Sequence, residues 1–204
     1  GNSEELREIL RQAGLVRLFF FMRFILSVTG PYEKLNTGLH LDMSNFAQSP
    51  LAMRPGARAA AFVFRSSFKT TIFGTGRGHW LVTRDGNTRF LFVSNTAGHA
   101  NAARGVIKDV TETNEFYAWL YPECIPGSSA DRWNADELVF PHRARIYKEP
   151  SFTAKGIDSV HAGPHYTDTN WDDLAGLEGL DKMMNVAAHA PSGGWARARF
   201  ARGP

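Results

Sequence analysis

Cysteine and long apolar runs are what this chain has least of. Its single cysteine, Cys124, excludes an intramolecular disulfide, fits a reducing cytoplasm, and lies in an apolar stretch that indicates packing rather than catalysis. The most apolar segment, residues 15–28, is interrupted by Arg17 and Arg23 and is too short to span a bilayer. The acidic start of the chain is wrong for a secretory signal. We therefore expect no membrane partner.

Several catalytic patterns are also missing. No G-x-S-x-G elbow is present, which removes the main sequence signal of an α/β-hydrolase. His161 and His165 have the spacing of a helical metal site, but Gly163 and Pro164 lie between them and exclude the helix, so zinc is not expected. The net charge of +3, from 23 Lys and Arg against 20 Asp and Glu, permits contact with DNA without requiring it.

What the chain does have is a strand, a short loop and a Lys-Thr pair that opens a helix. Residues 59–64 are an apolar run that predicts a buried strand, and residues 70–84 can form a helix. Residues 65–71, RSSFKTT, stand where the loop G-x-x-x-x-G-K-[ST] cradles phosphates, with Val63 and Phe68 in the glycine positions. A solvated lysine at a helix start is the alternative interpretation.

A pair of carboxylates far downstream supports the phosphate interpretation. Asp172 and Asp173 follow residues 166–171, which we interpret as a polar strand. Carboxylates at the end of a strand can hold Mg²⁺ and polarise a water molecule beside a phosphate. A surface turn or a helix cap is the alternative. We predict that Lys69 and Asp172 meet in space at the carboxyl edge of one parallel sheet.

The alternation of strands and helices predicts an α/β fold. We expect a mainly parallel sheet flanked by helices, like that of P-loop NTPases, preceded by an N-terminal helical segment. Helices are predicted at residues 4–28, 36–48, 70–84, 100–113 and 114–120, and strands at 58–64, 89–94, 136–141, 151–157 and 166–171.

The expected domain organisation has three parts. Residues 1–56 form the helical segment, residues 57–190 form an ATPase core that is incomplete at its C-terminal end, and residues 191–204 form an unstructured or non-native tail. Residues 177–190 can be a helix that ends at Pro191. The Arg-, Ala- and Gly-rich tail is interpreted as a disordered extension or as the product of a truncated or frame-shifted gene.

Eight stretches in series resemble the ATPase part of the large terminase subunit, the motor that packages DNA into tailed-phage capsids. The resemblance spans roughly residues 15–178, and we expect no nuclease domain in this chain. The stretches are LFFFMRFIL (18–26), LHLDMSNF (39–46), FRSSFKTT (64–71), RFLFVSNT (89–96), NEFYAWLYPECIP (114–126), RWN (132–134), KEPSFTA (148–154), and GPHY followed by DDL (163–174).

The resemblance implies a function and a set of partners. It implies binding and hydrolysis of ATP with Mg²⁺, coupled to movement of double-stranded DNA into the procapsid. The partners would be DNA, the portal protein, the small terminase subunit and other copies of the chain in a homo-oligomeric ring. The location would be the cytoplasm of the bacterial host, at the procapsid portal during packaging. No nuclease activity is expected.

Residue roles also follow from the resemblance. The loop Arg65, Ser66, Ser67, Phe68, Lys69, Thr70 and Thr71 would bind the nucleotide, with Lys69 on the outer phosphates. Thr70 and Asp172 would hold Mg²⁺, and Asp173 would orient the attacking water. Arg65 would sense or stabilise charge on the terminal phosphate, with a salt-bridged arginine as the alternative.

The loop departs from the family pattern in ways that predict weak activity. Ser66 stands where the family has glycine, and only glycine takes a positive φ at little cost. Asp173 stands where the family has an acidic residue that orients the attacking water, and an aspartate side chain is one methylene shorter than that of a glutamate. We therefore predict weak binding of ATP and slow or absent hydrolysis. The alternatives are an inactive prophage remnant and a different P-loop ATPase that acts on nucleic acid.

Overall fold

The computed structural model describes residues 1–28, 31–128, 132–161, 163–173 and, for its backbone, 195–200. Within these ranges the α-helices are α1 (Asn2–Val16), α2 (Leu18–Phe20), α3 (Leu39–Ala47), α4 (Pro50–Met53), α5 (Arg77–Arg84), α6 (Ala97–Thr113) and α7 (Glu115–Leu120). The strands are β1 (Arg58–Val63), β2 (Phe90–Ser94), β3 (Phe152–Gly156), β4 (Asp168–Asp172) and β5 (Trp195–Phe200). Two π-helical segments, Phe21–Ile25 and Thr70–Gly76, continue helices or lead into them, and short 3₁₀ segments are Leu26–Val28, Pro31–Lys34, Pro122–Cys124 and Ile157–Ser159.

A three-stranded sheet, entirely parallel and flanked by helices, forms the centre of this mixed α/β chain. Its strand order is β3, β2, β4, and Ser94 lies level with Gly156 on one side and Asp172 on the other. All five residues of β2 are buried. Because side chains alternate between the two faces of a strand, both faces of the sheet are covered here. The predicted strands 89–94, 151–157 and 166–171 are therefore confirmed, apart from their exact ends.

Two strand predictions need correction. The segment 58–64 does form a strand, β1, but it is only partly buried, with Phe62 52% exposed, and it pairs in parallel with β5 as a separate two-stranded sheet. The segment 136–141 is not a strand. There, only Leu138 makes isolated bridges, to Trp133 and Phe152, and the Phe140 N–H donates to the Ser151 hydroxyl rather than to a neighbouring strand.

The N-terminal helix is broken where one continuous helix was predicted. Arg17 is extended, with φ −121° and ψ 105°, and the chain resumes as α2 and a π-helical turn. The amide side chain of Gln48 accepts a hydrogen bond of 2.7 Å from the Leu18 N–H, which occupies a donor at the start of the new helix. The turn of the chain buries Phe21, Met22 and Ile25.

An aromatic cluster joins the N-terminal segment to the helices around the sheet. Phe21 packs edge-on against His79 of α5 and Tyr117 of α7, and tilted against Tyr121. The Trp80 indole N–H donates a hydrogen bond of 2.9 Å to the Gly14 carbonyl. Asn114 is the N-cap of α7, because its side chain accepts from the Tyr117 N–H, and the helix predicted from residue 114 therefore starts at Glu115.

The helix that follows the loop carries glycines because it lies very close to the sheet. A Cβ atom at Gly74 would lie 2.6 Å from the Phe92 ring, and one at Gly78 would lie 2.7 Å from the Phe152 ring. These glycines lower helix propensity, yet residues 70–84 are helical throughout. Close packing on buried aromatic rings therefore outweighs propensity in this helix.

Some predictions fall on residues outside the described ranges. The predicted helix 177–190 is among them, as is most of the predicted tail. Within that tail, Trp195–Phe200 form β5, with Trp195 level with Arg58 of β1. In the described residues, no helix is long and apolar enough to cross a membrane.

Candidate functional site

The loop between β1 and the next helix has an unusual backbone. Ser66 and Phe68 both have positive φ angles, 64° and 56°, which are costly for residues other than glycine. The Phe68 ring packs edge-on against His40, with ring centroids 5.4 Å apart. The first hydrogen bond of the helix runs from the Ile72 N–H to the Phe68 carbonyl at 2.9 Å. The N–H groups that precede it lie at the helix N-terminus, where no intrahelical acceptor exists.

One side chain of this loop is buried and has no hydrogen-bond partner among the described residues. The Ser67 residue is 1% exposed, and its hydroxyl makes no hydrogen bond in the described part of the protein. An unsatisfied buried polar group typically costs about 1–3 kcal/mol. Such a hydroxyl is suited to a ligand oxygen that reaches the loop.

The acidic half of the site comes from the end of β4. Asp172 is the last residue of that strand, and Asp173 follows it with a φ of 51°. Thr70 Oγ1 is hydrogen bonded to Asp172 Oδ2, across 102 positions of sequence. Lys69 Nζ makes an ion pair with Asp173 Oδ1. The loop and the two carboxylates, predicted to meet, do lie together.

The position of the site in the sheet agrees only in part with the prediction. Asp172 lies at the carboxyl edge of the parallel sheet, level with Ser94. Lys69, however, follows β1, which pairs with β5 and not with that sheet. The site is therefore formed between the sheet edge and a helix that packs on the sheet, not at the edge of one continuous sheet.

The two carboxylates have different surroundings. Burial raises the pKa of Asp172, and the Thr70 hydrogen bond and the Lys69 charge oppose that rise. The Asp173 side chain is 60% exposed and that of Lys69 is 26% exposed. A pair this exposed stabilises the fold by at most about 1 kcal/mol, so it can be opened by a ligand at little cost. Asp172 is the shielded carboxylate and Asp173 the accessible one.

An internal ion pair holds the two halves of the site in register. Arg77, 8% exposed, donates through Nη2 to Asp168 Oδ1 at 3.0 Å and through Nε to the Ala47 carbonyl at 3.2 Å. Asp168 begins β4 and Arg77 begins α5, so the pair links the helix after the loop to the strand that carries the carboxylates. Sequence reasoning missed this link, because nothing in the spacing of the two residues indicates it.

The remaining predicted residues lie at the edge of the site. Arg65 is exposed, and its guanidinium makes no hydrogen bond or ion pair among the described residues. The Thr71 carbonyl accepts from the Thr75 hydroxyl at 3.1 Å, inside the π-helical segment. In the described ranges, no group of three or more His, Cys, Asp and Glu side chains is placed to hold a metal ion.

Comparison with known proteins adds nothing to these observations. No family model matches the chain, and no curated protein is significantly similar to it. The assignment of function therefore rests on the site itself and on the motifs in the sequence.

Proposed function

We propose that the chain is a nucleotide-binding domain of the large-terminase type, which binds the phosphates of ATP with Mg²⁺. The observation that carries the proposal is the convergence of Lys69 and Thr70 with Asp173 and Asp172, which lie more than 100 positions away in sequence. A basic residue and a hydroxyl at a helix N-terminus, facing two carboxylates at the end of a parallel strand, have the chemistry for a metal-bound phosphate chain.

The loop has features that fit a phosphate group. The helix N-terminus offers N–H donors and a favourable dipole to an anion. The buried Ser67 hydroxyl lacks a partner in the described residues, and a phosphate oxygen can accept from it. Positive φ angles at Ser66 and Phe68 are the kind of backbone strain that accumulates at ligand sites.

Thr70 and Asp172 fit a magnesium ion. Both offer oxygen atoms, and they are already within hydrogen-bonding distance of each other. Mg²⁺ prefers few protein ligands and completes its shell with water and phosphate oxygens, so a larger cluster of carboxylates is not required. When bound, the ion would neutralise charge on the phosphates. Burial of Asp172 raises its pKa, and a nearby cation would keep it ionised.

When a nucleotide binds, Lys69 and Asp173 exchange their mutual ion pair for new partners. Lys69 leaves Asp173 and contacts the outer phosphates, because a phosphate carries more charge than a carboxylate. Asp173, now unpaired and largely exposed, accepts a hydrogen bond from a water molecule and orients it. Arg65 is exposed at the start of the loop, where its guanidinium can reach the terminal phosphate.

The coupled process is packaging of double-stranded viral DNA, by resemblance to large terminases. The portal protein, the small subunit and a ring of identical chains would be its partners.

An inactive domain that has kept the fold is the second candidate. The residue types of the loop favour it, since Ser66 and Phe68 place side chains at backbone positions that suit glycine and so restrict the space for a phosphate.

The metal dependence of ATP binding tests the proposal. Wild-type protein should bind ATP more tightly with Mg²⁺ than with EDTA, and Asp172→Asn should lose that difference while keeping the fold. Asp109→Asn, an exposed aspartate of α6, is the matched control and should behave like the wild type. Equal Mg²⁺ dependence in Asp172→Asn and in the wild type would rule out this carboxylate as the metal ligand.

A further inference from the structure

Residues 141–148, PHRARIYK, form a basic loop that we call the arginine loop. It connects the bridge at Leu138 with β3 and has no regular secondary structure. It contains two arginines and one lysine and no acidic residue. A segment of this kind is a candidate surface for an anionic partner.

Two buttressing arginines hold the loop rigid from inside. Arg132 donates to the Tyr147 carbonyl at 3.2 Å and to the Lys148 carbonyl at 2.9 Å. Arg143 donates to the Glu149 carbonyl at 2.9 Å and to the Gly86 and Thr88 carbonyls at 3.4 Å each. Both guanidiniums are thus used on the backbone, and an irregular segment acquires a fixed shape.

The outer face of the loop carries two cations and one apolar side chain. The Arg145 N–H donates to Asn87 Oδ1 at 3.0 Å, which fixes the tip. In the described part of the protein, the Arg145 guanidinium and the Lys148 ammonium make no hydrogen bond or ion pair. Between them, Ile146 is fully exposed, at 101%. A rigid loop that presents two unused cations around an apolar side chain is arranged for contact.

The arginine loop is far from the candidate phosphate site along the strands. The loop is hydrogen bonded to Gly86, Asn87 and Thr88. These three residues precede β2, so the loop lies at the amino edge of the parallel sheet. Asp172 lies at the opposite, carboxyl edge. The free cations of the loop therefore do not serve the phosphate site of the same chain.

We propose that the arginine loop binds the phosphate backbone of double-stranded DNA. Arg145 and Lys148 contact phosphates, and Ile146 packs against the apolar atoms of base edges in the major groove. The major groove of B-form DNA admits such a side chain, whereas the major groove of duplex RNA is too narrow. The rigid loop loses little conformational entropy when it binds. This inference does not depend on the nucleotide site.

Two other kinds of partner fit the loop less well. Proteins hold single strands by stacking the bases on aromatic rings. The Tyr147 ring is already in contact with two guanidinium groups, whose Cζ atoms lie 4.3 Å (Arg89) and 5.5 Å (Arg143) from the ring centroid. Protein interfaces have a central apolar cluster with aromatic anchors, and here one isoleucine stands alone among charges.

Fluorescence anisotropy with a labelled duplex of about 30 base pairs, over a series of salt concentrations and without nucleotide, tests the proposal. Arg145→Ala/Lys148→Ala should weaken binding by about 10-fold and reduce the log–log salt slope by about 2, since each lost phosphate contact removes roughly 0.9. Ile146→Ser should weaken binding without changing the slope. Lys34→Ala/Arg54→Ala removes two exposed cations elsewhere and is the matched control.

Three results would overturn the proposal. These are no binding of duplex DNA at low salt, an equal loss of affinity in the control variant, and tighter binding of single strands or of duplex RNA than of duplex DNA. The assay also separates this proposal from the nucleotide site, because Lys69→Ala should bind DNA like the wild type. All the substituted loop residues are exposed, so their variants should keep the thermal melt of the wild type.

Discussion

At the scale of single residues, the loop combines strain with an unsatisfied group. Ser66 and Phe68 have left-handed backbone angles, and Ser67 buries a hydroxyl without a partner in the described residues. A left-handed angle costs a residue with a side chain roughly 1–2 kcal/mol. The rest of the structure therefore stabilises a loop conformation that its own residues disfavour, which is typical of ligand sites.

Replacing Ser66 tests whether this strain limits nucleotide binding. Ser66→Gly relieves the strain, whereas Ser66→Ala removes the same hydroxyl and keeps the Cβ atom. We expect the glycine variant to be more stable than the alanine variant by about 1 kcal/mol in urea unfolding, and to bind ATP more tightly. Equal stability of the two variants would show that the angle of 64° carries no cost.

At the scale of elements, the site depends on how closely one helix packs on the sheet. Gly74 and Gly78 let the helix 70–84 approach the rings of Phe92, Phe90 and Phe152, and Arg77 ties it to β4. The polar strand β4 lacks the apolar alternation that normally fixes register. The ion pair between Arg77 and Asp168 fixes the register of β4 instead.

The glycine contacts predict opposite effects of the same substitution at two places. Gly78→Ala puts a methyl group 2.7 Å from the Phe152 ring, which is stacked on Phe90 and cannot move away, so we expect a loss of about 1–3 kcal/mol. Gly105→Ala in α6 meets nothing within 4 Å and should gain about 0.5–1 kcal/mol from helix propensity. Chemical denaturation measures both, and a gain at Gly78 would contradict the close packing.

The ion pair inside the fold predicts an effect at a distance. Arg77→Met leaves the Asp168 carboxylate and the Ala47 carbonyl without this donor, so we expect a loss of about 2 kcal/mol. ATP affinity should also fall, because the carboxylates of β4 are held less firmly. Lys108→Met removes an exposed helical ion pair with Glu112 and should cost under about 0.5 kcal/mol. Unchanged ATP affinity in Arg77→Met would exclude a positioning role for this pair.

Much of this architecture could be predicted from the sequence. The apolar run of β2 and the capped helix α7 follow from local pattern. The loop and the two aspartates meet as predicted, but they do so where a helix packs on the sheet and not at the edge of one continuous sheet. The break at Arg17 and the ion pair of Arg77 could not be predicted. Each depends on a partner at least 30 positions away, Gln48 or Asp168, whose contact leaves no periodic signal.

At the scale of the whole molecule, burial of histidine makes stability depend on pH. His79 lies at the centre of the aromatic cluster, and burial lowers its pKa to about 3. Burial also lowers the pKa of His142, although its ring contacts the Val82 carbonyl at 2.9 Å. As the pH falls below 6.5, these groups take up protons more readily in the unfolded chain than in the folded one.

This difference predicts progressive acid destabilisation. Because the folded pKa of His79 is depressed, its contribution is fully present above pH 6.5 and is lost as the pH falls towards 3. Each such histidine adds up to about 1.4 kcal/mol per pH unit to the slope of the unfolding free energy plotted against pH. His79→Leu should lower the slope by that amount between pH 6 and 4. A variant with the slope of the wild type would show that His79 is already protonated in the fold.

Calorimetric titration of ATP with Mg²⁺ into the wild type, Lys69→Ala and Lys34→Ala tests the central claim most directly. We predict weak but measurable binding by the wild type and by Lys34→Ala, whose lysine is exposed outside the site. Lys69→Ala should bind at least about 10-fold more weakly, because a charge-assisted contact with the outer phosphates is lost. Binding by Lys69→Ala as tight as that of the wild type would contradict the assignment of this loop as the phosphate site.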